Sequence, residues 1–173
     1  MSRDFADAVP GLARRPMRRA DHRMPDAEAL AVIARAEIVR LGFSDDEGPY
    51  VVPVNFGYED GRLYVHGPLE GRRIDAARQG ARVCFEVDEG EIVRGDRPCG
   101  FTSRFRSVIG YGTMRMLEDR AERLHGLDVI MRHYGSTIDG VREESFARAS
   151  VVAIEIESME GKWHPPGPSE EGV

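Results

Sequence analysis

Cysteine is scarce in this chain, metal-ligand spacing is missing, and no apolar run is long. Cys84 and Cys99 are the two cysteines. They share no CxxC spacing and follow no run that reads as an export signal, so a reduced, cytoplasmic setting is expected instead of a disulfide framework. His22, His66, His125, His133 and His164 show neither HExxH nor HxH spacing, and two isolated cysteines do not complete a ligand set, so no metal is expected. Nothing approaches the roughly 20 apolar residues of a membrane span. The 24 Lys+Arg fall short of the 30 Asp+Glu, a net charge of −6. That argues against nucleic acid as a partner, because phosphates need a basic face. A third glycine is lacking too. "GYG" (110–112) is followed by Thr113, Met114 and Arg115, within a strand and not at a strand-to-helix turn, so close strand packing explains it better than a dinucleotide loop.

What is present reads as one globular domain. The 173 residues are 41% apolar and 31% charged, enough to bury a core. Residues 1–16 read as a flexible arm, 17–163 as the domain and 164–173 as a flexible Pro/Gly-rich tail. The cluster Arg14, Arg15, Arg18, Arg19 and Arg23 has no amphipathic pattern and reads as a solvated arm. Periodicity predicts helices over 25–36, after Gly71 as far as Gly80, and from Asp119 to Gly135, the last with capping-box spacing from Asp119 to Glu122. It predicts strands over 37–44, 50–58, 62–67, 81–88, 104–117 and 150–158, with a polar separator over 89–103. Six strands joined by hairpins, without regular βαβ alternation, imply a mainly β fold: an antiparallel barrel with peripheral helices.

Two stretches carry chemistry. "HGPLEGRRID" (66–75) puts Arg72 and Arg73 in the first turn of a helix, where the macrodipole disfavours cations. A phosphate held there by both guanidinium forks would explain them, with Gly67 and Gly71 allowing close approach; a surface pair balanced by Glu70 and Asp75 is the plainer alternative. "YVVPVNF" (50–56) places Pro53 mid-strand, the mark of an edge. Asn55 projects to the same face, and a planar heterocycle could bond to the backbone of Val52 and Val54; an exposed edge proline and a turn asparagine would look the same.

"PYVVPVNF", "HGPLEGRR" and "RSVIGYG", with "MRRADHRM" before them and "IESMEGKW" after, resemble the FMN-binding split-barrel family related to pyridoxamine 5′-phosphate oxidase, most of all its nitroimidazole-resistance (Nim) type. The resemblance runs from about Met17 to Trp163. It implies a six-stranded antiparallel split barrel and a homodimer with FMN between the protomers. Arg72 and Arg73 would clamp the FMN phosphate; Val52, Pro53, Val54 and Asn55 would line the ring edge; His66 and Gly67 would flank the ribityl chain or the ring. Ser107 would touch the flavin, Lys162 and Trp163 would reach the partner's cleft, and His66 would be catalytic, protonating the product. No arginine follows Arg148, so the C-terminal arginine motif that true pyridoxamine-phosphate oxidases carry is not matched, and their phosphorylated substrate is not expected here. The expected activity is an FMN-dependent oxidoreductase acting on small electron-poor compounds such as nitroimidazoles. A haem-binding or haem-degrading split barrel, and a flavin-binding protein without turnover, are the rivals.

Overall fold

A computed structural model describes residues 17–164; the expected flexible arm at 1–16 and the tail beyond 164 lie outside the described residues. In chain order come α1 (Asp26–Arg35), β1 (Val39–Asp45), β2 (Gly48–Val54), β3 (Phe56–Glu59), β4 (Arg62–Gly67), α2 (Arg72–Arg78), β5 (Arg82–Val93), β6 (Thr102–Met116), α3 (Arg120–His133), α4 (Glu143–Ala147) and β7 (Ser150–Trp163). All seven strands join one sheet in the order β2-β1-β5-β6-β7-β4-β3, every pairing antiparallel. The fold is the split barrel with peripheral helices that the resemblance implied.

The strand count needs correcting from six to seven, and the reason sits at Asn55. Val54 pairs with Val39 on β1, while Phe56 pairs with Val65 on β4. One residue thus carries the chain from one end of the sheet order to the other, and the rolled sheet's two edges meet there. The backbone stays extended on both sides, so the change is one of partner, which side-chain periodicity does not register. The polar stretch at 89–103 is also partly ladder, since β5 and β6 stay paired as far as Val93 and Thr102. Cross-strand charge pairs support this solvated ribbon: Glu89–Arg106 at 3.2 Å and Glu91–Arg104 at 3.6 Å.

Inside the barrel Leu41, Phe43, Leu63, Val65, Val83, Phe85, Met114 and Ile154 pack with Val32 and Ile33 of α1 and Ile74 of α2. Phe85 is fully buried beneath Gly110, where an added Cβ would lie 2.1 Å from its Cζ. "GYG" is therefore packing, as its spacing implied. A smaller core outside the barrel joins Tyr64, Val151 and Ala153 to Leu127, Val129 and Ile130 of α3 and Phe146 of α4. Asp119 caps α3, accepting from the amides of Ala121 and Glu122 at 2.8 and 3.0 Å. Among the described residues, no helix is long and apolar enough to cross a membrane.

Candidate functional site

Strand β4 ends at His66 and Gly67, and a four-residue loop leads into α2. The loop is pinned from behind. Ser150, buried on β7, donates toward the carbonyls of Gly67 and Pro68 at 3.1 and 2.6 Å, and Arg78 donates to the Leu69 carbonyl at 2.9 Å. Every peptide here is trans, so the amides of Leu69 and Glu70 point away from those carbonyls. Neither Ser150 nor Arg78 stands out in the sequence; a serine opening a strand carries no signal of what its hydroxyl will meet.

The two arginines have different surroundings. Arg72 donates to Asp45 from Nε at 2.9 Å and from Nη2, and to the Gly48 carbonyl at 3.0 Å. Its guanidinium lies 4.6 Å over the ring of Tyr50, with Glu47 at 3.7 Å. These bonds hold the Asp45 carboxyl below its usual range and raise Arg72 above its own. Arg72 is thus answered by acids from the β1–β2 turn, which offsets the unfavourable helix end.

Among the described residues, Arg73 has no acid beside it. Its Nη2 donates to the His66 carbonyl at 3.0 Å, but its Nη1 is buried with no partner. Burial lowers its pKa. Of the two buried side-chain atoms without a partner among the described residues, the other is Ser158 Oγ, at the β6–β7 bulge. Gly67 makes room for this arrangement: an added Cβ would lie 2.0 Å from Arg73 Nη2. A desolvated cation with an unfilled N–H is costly unless an anion completes it. His66, beside it, has its pKa lowered by burial and then by the Arg73 charge, though its ring is open to solvent, which screens both effects.

The remaining residues fall into two groups. Val52 and Val54 are half-buried and Pro53 exposed on β2, which ends the sheet order, so Pro53 does occupy an edge strand. Asn55 lies one step beyond the β3–β4 ladder, opposite His66 by extension of the register. Its Nδ2 reaches the Tyr134 hydroxyl at 3.4 Å. Ser107, Lys162 and Trp163 lie elsewhere. Ser107 pairs with Lys162, whereas His66 pairs with Val151, and those two β7 positions are roughly 35 Å apart along the strand. One protomer does not bring the two groups together. Among the described residues no cluster of three metal-ligating side chains occurs.

With this geometry in hand, comparison with known proteins is decisive for the family. A family model described as pyridoxamine 5′-phosphate oxidase matches residues 25–163. The chain belongs to that family. It is similar to the crystal structure of a candidate 5-nitroimidazole antibiotic resistance protein from Bacteroides thetaiotaomicron, at 31% identity and a TM-score of 0.71 over 81% of this chain and 85% of that one. It is also similar to an FAD-binding protein from Mesorhizobium loti, at 26% identity and a TM-score of 0.60, over 83% and 97% of the two chains. An uncharacterised protein from Rhizobium meliloti is 27% identical over 85 residues, 49% of this chain and 56% of that relative's length.

Proposed function

We propose that this chain is an FMN-dependent oxidoreductase of the pyridoxamine 5′-phosphate oxidase family that reduces small, flat, electron-poor compounds such as nitroimidazoles. The observation that carries this reading is the half-buried Arg73 guanidinium over Gly67, its buried Nη1 without a partner among the described residues. A terminal phosphate is the anion that would fill it, and a flavin mononucleotide offers one beside a planar ring. The FAD-binding relative supports a flavin, and the nitroimidazole-resistance relative supports the acceptor class.

Arg73 would hold the phosphate by charge-assisted hydrogen bonds, while Arg72, occupied by Asp45, would act mainly by holding the β1–β2 turn against α2. Val52, Pro53, Val54 and Asn55 would line the ring edge. When bound, FMN would supply two-electron transfer. His66 would meet the reduced acceptor with a ring nitrogen able to exchange a proton, its pKa lowered by burial and then by the Arg73 charge.

The reading includes a homodimer. On the sheet's outer face Val51, Gly42, Cys84 and Tyr111 form one cross-strand row, and Pro53, Arg40, Glu86 and Ile109 the next. Val51 is 66% exposed, Ile109 45% and Tyr111 38%, and such apolar exposure favours a partner surface. A second copy would also deliver Ser107, Lys162 and Trp163 to the His66–Arg73 corner, which their own protomer does not reach. The visible spectrum of the purified protein, with FMN added, tests the cofactor: flavin bands are expected, and a Soret band in their place would favour the haem-binding rival. Stopped-flow reoxidation by a nitroimidazole tests the activity. An acceptor-dependent rate supports it, and its absence points to flavin binding without turnover.

A further inference from the structure

We propose that Tyr134 is a positioning residue of the flavin site, its hydroxyl fixing the ring-edge segment Val52–Asn55 at the seam where the barrel splits; this rests on the flavin reading above. Tyr134 belongs to none of the motifs that mark the site in sequence. It is the C-cap of α3, far from the phosphate corner in the chain. Its hydroxyl nevertheless gathers three groups: it donates to the Glu37 carbonyl at 2.6 Å, and accepts from the Phe56 amide at 3.0 Å and from Asn55 Nδ2 at 3.4 Å.

Those groups sit on both sides of the seam. Glu37 precedes β1, the partner of β2, and Phe56 opens β3. Asn55 lies between β2 and β3, where neither ladder reaches. Without the tyrosine hydroxyl, the Phe56 amide and the Asn55 side chain would lose the partner that holds them at this junction. Neighbouring His133 adds a second tie, its Nε2 lying 2.7 Å from the Ala36 carbonyl and its ring 4.5 Å from that of Phe56.

The hydroxyl is placed by a stiff support. Ser136 N–H bonds to the Met131 carbonyl and Gly135 N–H to the Arg132 carbonyl, with Gly135 at φ 71°, the paired bonds of a Schellman end. The helix is pressed directly on the strand at Gly57, where an added Cβ would lie 2.6 Å from the Val129 carbonyl oxygen. Backbone packs on backbone, so the helix end has little freedom relative to Phe56. A segment anchored this way can present fixed groups to a planar ring.

The test compares wild type with Tyr134→Phe, which keeps the ring and deletes the oxygen, by titrating each with FMN and with riboflavin. Tyr134→Phe is expected to weaken both about fivefold, the scale of one lost hydrogen bond. It should leave the FMN-to-riboflavin ratio unchanged and shift the visible absorption and circular dichroism of the bound flavin. If Tyr134→Phe does not fold, Gly135→Ala, which displaces the tyrosine without removing it, is expected to move the same readouts in the same direction. Wild-type affinities with an unaltered flavin spectrum would overturn the inference, even with a lowered Tm. If wild type binds neither flavin, the flavin reading itself fails and the inference with it.

Discussion

Arg72 and Arg73 are adjacent in the chain and chemically identical, yet their environments assign them different work. The guanidinium of Arg72 is engaged by Asp45, the Gly48 carbonyl and the face of Tyr50, whereas Arg73 keeps a buried N–H unfilled. Arg73→Ala is therefore expected to weaken FMN binding by tenfold or more, since a hydrogen bond to a charged group contributes about 1.5–3 kcal/mol; Arg72→Ala should cost a few-fold in affinity and lower Tm. Flavin fluorescence titration with thermal unfolding separates the two. Gly67→Ala should mimic Arg73→Ala, because its Cβ would occupy the place of Arg73 Nη2. The Asp45–Arg72 tie also carries a pH signature. Arg72 depresses the Asp45 pKa, so the tie's contribution is full above the unfolded value of about 4 and is lost as pH falls through the lower folded value. The Tm gap between wild type and Arg72→Ala should close on acidification through that window. A gap constant down to low pH would contradict the assignment.

At the scale of elements, α3 both encloses the outer core and fixes the seam between β2 and β3. Its N-cap supports both roles, and Asp119→Ala is expected to destabilise the fold by about 1 kcal/mol, read as a lowered Tm. Both ends of this helix were legible in sequence, from the Asp119–Glu122 spacing and from Gly135, although the Glu122 side chain turns to Arg115 at 3.1 Å instead of closing the capping box. The hairpin between the strands predicted at 50–58 and 62–67, the edge proline and the packing glycines were legible for the same reason: each is a local backbone requirement written in one residue type. The break at Asn55 was not, because extended chain looks alike on either side of a change of partner. Ser150 and Tyr134 were also hidden, since their hydroxyls act on residues distant in the chain. The unequal roles of Arg72 and Arg73 depend on an acid 27 residues before Arg72, which no local pattern connects to it.

For the molecule as a whole, the proposed site is complete only when two copies meet. Val51 and Ile109 point outward from the sheet, so Val51→Asp or Ile109→Asp should leave the inner core intact and yield monomers by light scattering, with flavin affinity reduced alongside. A monomeric wild type, or a dimer indifferent to both changes, would contradict the shared-site arrangement. The proposed cofactor site turns on whether a phosphate answers the buried Nη1 of Arg73. FMN differs from riboflavin only by that phosphate, so the comparison of their affinities in wild type and in Arg73→Ala is the most direct measurement. Wild type is expected to prefer FMN by at least about tenfold, and Arg73→Ala to lose that preference while retaining its riboflavin affinity. Equal affinities for FMN and riboflavin in the wild-type protein would contradict the central claim.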